Sequence, residues 1–127
     1  MKASRTRMAA ATSGVKDKVY KIFTESEWEA FQKTGLFSGS ADDLRDGFIH
    51  LSTNEQLEGV IERFFSGKRP LYVAEFSDDD FLKTLSWEVS ASNEVYPHLY
   101  RHKLLVGQVS SVFEHPMVSR GIQKPVS

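Results

Sequence analysis

The chain has 127 residues and carries 16 Lys or Arg against 17 Asp or Glu, a formal net charge of -1, with 40% hydrophobic and 26% charged residues. That length suits one domain burying roughly 68% of its unfolded surface, and no apolar run nears the roughly 18 residues that a membrane span needs. The chain has no cysteine, which excludes disulfides, thiolate metal sites and cysteine nucleophiles and suits a cytoplasmic location, while an acidic body behind a basic start is a poor electrostatic footprint for nucleic acid.

Residues 1–17 hold Lys2, Arg5, Arg7 and Lys16 among small residues and predict a disordered basic tail, a composition shared with organellar presequences. "VYKIF", 19–23, predicts a first strand from its β-branched and aromatic residues. Thr24 and Glu27 have capping-box spacing, Trp28 and Phe31 share a face, and Gly35 is a stop, so a helix is predicted over 26–34. "SGSADDLRD", 38–46, has the composition of a polar loop with Leu44 as its one apolar anchor. In "DGFIHLST", 46–53, period-two geometry sets Phe48, His50 and Ser52 on one face and Ile49 and Leu51 on the other.

A second capping-box pattern, Thr53 with Gln56 or Ser52 with Glu55, opens a helix that carries Leu57, Val60, Ile61, Phe64 and Phe65 on one face and ends at Gly67. "PLYVAEF", 70–76, predicts a central strand, "SDDD" a solvated acidic turn, and 81–85 a short turn or helix. "WEVS", 87–90, predicts a short strand; "YPHLY", 96–100, a less regular segment because Pro97 removes a donor. A last strand over 104–113 closes the sheet, and 116–127 is an extended tail. Strands and helices mix without strict alternation, which makes 18–115 a single α+β domain.

Candidate chemistry gathers at His50, Ser52 and Thr53, at a strand-to-helix junction where free amides and the helix dipole favour an anion or phosphate. Glu88 and His98 come from later segments. At this level His50 is open to three roles: an imidazole packed against a neighbouring strand or carboxylate, a metal ligand, or a ligand contact. Glu88 is either a surface strand residue or the carboxylate that orients a ligand hydroxyl. Trp87, Tyr96 and Tyr100 suit the core and its rim, and His115 suits solvent. His98 and His102 have i, i+4 spacing but no zinc-binding pattern around them, and no metal is expected. No nucleophile elbow, P-loop or dinucleotide-binding glycine pattern is present.

The segments "VYKI", "TGLFSGS", "DGFIHLSTNEQ", "LSWE" and "YPHLY" together resemble the mainly bacterial family named domain of unknown function nine hundred and fifty-two, over about 19–114. "FIHLS" followed by a helix also resembles the "VHLS" signature of RNA 2′-phosphotransferases, which use NAD. The resemblance implies an ADP-ribosyltransferase-like split, bent β-sheet with flanking helices, whose cleft accepts NAD or an ADP-ribose-like ligand. It implies that His50, Ser52, Thr53 and Tyr100 contact the ligand and that His50, Glu88 and His98 carry any transfer of ADP-ribose. The first strand departs from the pattern: "KIFT", Lys21 to Thr24, stands where ADP-ribose-transferring relatives carry Arg or His followed by Gly-Thr. Two alternatives stay open, a non-catalytic nucleotide or small-molecule module of the same fold and a metal-dependent enzyme using His50, Glu88 and His98. The expected partner is a small molecule, without membrane or nucleic acid, for a chain acting as a monomer or weak dimer.

Overall fold

In the computed structural model, which describes residues 18–101 and 103–115, the chain runs β1 (Lys18–Thr24), α1 (Glu25–Thr34), β2 (Leu36–Phe37), α2 (Ala41–Asp46), β3 (Ile49–His50), α3 (Leu57–Phe64), β4 (Leu71–Ser77), β5 (Leu85–Val89), β6 (Val95–Leu99), β7 (Leu104–Leu105) and β8 (Val109–His115). The strands form two three-stranded antiparallel sheets, ordered β1-β4-β8 and β3-β6-β5, and a small β2-β7 pair. Tyr20 and Ser52 exchange main-chain hydrogen bonds of 2.8 and 2.9 Å, so the chain leaving β3 is stitched to the edge of the first sheet. The predicted tails and His102 lie outside the described residues. Among the described residues no helix is long and apolar enough to cross a membrane.

The β1 strand is buried on both faces. Val19 and Phe23 enter the main core with Trp28, Phe31, Phe37, Ile49, Leu51, Phe76 and Leu99. Ile22 points the other way, into a smaller core with Leu57, Ile61, Leu71 and Val73. The α1 helix starts as predicted: Thr24 Oγ1 accepts from the Glu27 amide at 3.3 Å and Glu27 Oε1 accepts from the Thr24 amide at 3.0 Å. It ends at Gly35, whose φ of +81° a residue with a Cβ adopts only at a cost. Trp28 and Phe31 then stand 5.4 and 5.2 Å from the Phe23 ring, an aromatic cluster that anchors the helix on β1. The central position of β4 is as predicted.

Several local expectations are corrected. Residues 38–46 are not a loop throughout, because Ser40 and Asp43 form a second capping box that starts α2. Leu44 is not its anchor: that side chain is 68% exposed, whereas Asp43 is 2% exposed. The second helix opens with a 3-10 turn, Asn54–Gln56, before α3. Leu57, Ile61 and Phe65 fill the small core beneath α3, which leaves Phe64 62% exposed at its rim beside the Arg63 guanidinium. The acidic run is itself the 3-10 turn, Asp78–Phe81, begun by Ser77.

"YPHLY" is regular after all, since β6 is the middle strand of its sheet. Pro97 fits there because its carbonyl still accepts from the Leu51 amide at 3.1 Å, and its missing donor faces Leu51, where β3 has already ended. The last strand is broken in two by a 3-10 turn, Val106–Gln108, so β7 pairs with β2 while β8 pairs with β4. Trp87 is 44% exposed. His115 is not solvated: its side chain is 20% exposed, with Nδ1 buried and unpartnered among the described residues.

Candidate functional site

A carboxylate makes the floor of the site. Asp43 is inside because the short α2 helix presents it inward while β1 brings Lys21 to meet it on the core side of the sheet. Asp43 Oδ2 accepts from Lys21 Nζ at 2.8 Å and from the Ser40 amide at 2.9 Å. Asp43 Oδ1 accepts from the His50 amide at 3.0 Å and lies 2.6 Å from His50 Nδ1. Four donors thus meet the roughly four lone-pair positions of one carboxylate. Burial alone would push the Asp43 carboxyl up, but the hydrogen bond from His50, the Lys21 charge and the remaining donors hold it well below the usual carboxylate range. An ionised Asp43 requires the proton of that short contact to sit on His50 Nδ1. Lys21 also donates to the His50 carbonyl at 3.1 Å and lies 5.5 Å from the Phe37 ring centroid.

His50 is therefore oriented from below at Nδ1, and its Nε2 reaches Asp46 Oδ2 at 3.0 Å, near the surface. Donation from both nitrogens belongs to the imidazolium. In the neutral ring Nδ1 keeps its proton for Asp43 and Nε2 becomes an acceptor. Hydrogen bonds from Arg45, followed by the charges of Arg45 and His50, keep the Asp46 carboxyl below its ordinary value.

The neighbouring strand repeats this construction. His98 lies directly opposite His50 in the β3-β6 register. Its Nδ1 is 2.6 Å from Glu88 Oε1, and the Tyr100 hydroxyl donates to the same oxygen at 2.7 Å. Burial raises the Glu88 carboxyl, but hydrogen bonds from His98 and Tyr100 outweigh it and leave Glu88 ionised more readily than usual. The bond to Glu88 pushes the Tyr100 phenol up. The two imidazole centroids are 5.7 Å apart, and Phe48 lies between them, 4.6 Å from His50 and stacked on His98 at 4.0 Å. Tyr100 closes the cluster 5.3 Å from Phe48.

Of the six residues singled out from sequence, His50, Glu88, His98 and Tyr100 meet on this face. Ser52 is not brought onto this face: it is 5% exposed, and its main chain bonds to Tyr20 on β1. Thr53 lines a separate depression with Gln56, Arg63 and Glu94, and its amide is already taken by Gln56 Oε1 at 3.0 Å. The metal-dependent alternative is not assembled, because the described residues contain no group of three or more His, Asp or Glu placed to hold a metal ion. Asp43, Asp46, Phe48 and Lys21 were missed as site residues. Ser40-x-x-Asp43, the spacing of Thr24-x-x-Glu27, was the signal for α2.

A carboxylate at Nδ1 fixes the orientation and the tautomer of each imidazole, which equips both rings to hydrogen-bond the hydroxyl or phosphate oxygens of a bound ligand. The family described as "Protein of unknown function (DUF952)" matches residues 22–112. The crystal structure of protein CC0527 from Caulobacter crescentus is 39% identical, with a TM-score of 0.71 over 76% of this chain and 84% of that chain. The solution structure of the same protein gives 40% identity and a TM-score of 0.67 over 76% and 82%. No curated protein matches the chain.

Proposed function

The chain belongs to the DUF952 family of proteins of unknown function, and on the geometry of its paired histidines we propose that it binds an NAD- or ADP-ribose-like ligand on the face shared by β3 and β6. One observation carries this reading: His50 and His98 stand opposite each other on paired strands, each oriented at Nδ1 by its own carboxylate. Such imidazoles suit ribose hydroxyls and phosphate oxygens, and the Phe48 and Tyr100 rings between and beside them offer apolar contact for a flat heterocycle. The split of the strands into two sheets stitched at Tyr20 and Ser52 agrees with an ADP-ribosyltransferase-like fold. Transfer of ADP-ribose is the second reading, favoured by Glu88. That carboxylate is held ionised beside His98, where it would stabilise positive charge developing at a sugar.

Calorimetric titration of the full chain with NAD and with ADP-ribose tests the proposal. His50→Ala should weaken binding at least about tenfold, which is about 1.4 kcal/mol, and Tyr100→Phe by a smaller factor, both with an unchanged circular dichroism spectrum. Unaltered affinity in His50→Ala would remove the reading. Nicotinamide release from NAD that is lost in Glu88→Gln would add turnover to binding.

A further inference from the structure

We infer that the cup beside the histidine face, lined by β2, β3, Leu99, Arg101 and Lys103, takes the diphosphate end of a nucleotide, an assignment that rests on the ligand reading above and extends it. The cup measures about 660 Å³, within the roughly 300–1,000 Å³ of small-molecule sites. Phe48 is its wall toward the imidazoles, and Ile49 and Leu99 belong to its lining. Leu36 and Leu105, 41% and 44% exposed, leave an apolar surface there that packing among the described residues does not use.

Its charge is concentrated at the rim. Arg101 and Lys103 both line the cup and are exposed, and neither makes a hydrogen bond or ion pair with the described residues. Arg101 adopts φ +53°, a left-handed conformation uncommon for a side chain of this kind, directly after Tyr100. The one carboxylate in the lining is Asp43, which is occupied by four donors and neutralised by Lys21. Lys21 itself is buried and committed to Asp43 and the His50 carbonyl, so it supplies no charge to a ligand. Two cations left unpaired among the described residues, above an apolar floor, complement an amphipathic anion, with phosphate oxygens at Arg101 and Lys103 and a base or sugar over Leu36 and Leu105.

Amide NMR titrations of the full chain with ADP, adenosine and inorganic pyrophosphate test this, alongside an Arg101→Ala/Lys103→Ala variant. ADP should give saturable shifts at Leu36, Ile49 and Leu105, and the double variant should weaken ADP at least about tenfold while changing adenosine little. Absence of shifts at those residues with millimolar ADP, or equal weakening of ADP and adenosine, would overturn the cup assignment. NAD binding serves as the separate control. If NAD affinity depends on His50 while ADP leaves the cup untouched, the cup falls and the histidine reading stands. If ADP fills the cup while NAD affinity ignores His50→Ala, the cup stands without its neighbour.

Discussion

Asp43 is the residue on which the site turns. Its carboxyl sits below its ordinary value in the folded chain, so its contribution to stability is fully present above the unfolded value of 3.8 and is lost as pH falls below that value toward the folded one. Urea midpoints should therefore drop steeply between about pH 5 and pH 2 in the native chain, and Asp43→Asn should be less stable at neutral pH with a flatter acid limb. Lys21→Met leaves Asp43 without its strongest cation and should cost about 3–5 kcal/mol, whereas Lys21→Met combined with Asp43→Leu should cost clearly less than the sum of the single changes. Additive losses in the denaturation cycle would mean that the two side chains do not act as a pair. The Ser40-x-x-Asp43 spacing marks Asp43 as a helix-start residue, but "ADDLRD" offers three acids, and Asp43 is the buried one because Lys21 from β1 and His50 from β3 meet it there. His50 and His98 were legible as chemistry, because an imidazole inside an apolar strand pattern needs a partner; the partners' identities were not.

Among the elements, those set by neighbours in sequence were the readable ones. Both ends of α1 follow from Thr24, Glu27 and Gly35, and Thr24→Ala should cost about 1 kcal/mol in chemical denaturation, without changing the site. β6 and the β7-β8 break were not readable, because Pro97 is tolerated only where β3 has ended, opposite Leu51, and the Val106–Gln108 turn through two different partner strands. The loop before α2 bears directly on the geometry of the candidate site. Gly39 has φ +135°, and a Cβ there would meet the Cβ of Asp43 at 3.0 Å. Gly39→Ala should thus displace Asp43 and perturb His50, seen as a shift of the His50 ring resonances and weaker ligand binding. An unchanged His50 spectrum would show that the loop absorbs the methyl group.

For the whole molecule, the informative feature is its division. The β1-β4-β8 sheet carries Val19, Phe23, Leu71, Val73 and Phe76 almost fully buried, whereas the β3-β6-β5 sheet exposes Trp87, Val89 and Val95. Native-state hydrogen exchange should therefore find β4 amides opening with the global free energy and β5 amides at lower cost, with β3 and β6 between them. Uniform protection would instead make the two sheets one cooperative unit. The family relationship was legible from the order of short motifs, whose resemblance also implied a split sheet, while the Tyr20–Ser52 pairing that stitches the two sheets spans 32 positions of sequence and no local pattern encodes it.

Titration of isotope-labelled chain with NAD and with ADP-ribose, followed through amide shifts, tests the proposed ligand face built from two carboxylate-backed histidines. Saturable shifts concentrated at Phe48 to His50 and at His98 to Arg101, weakened by His50→Ala, are the expected result. Shifts that are absent with millimolar ligand, or that fall on β8 and α1 while sparing these strands, would contradict it.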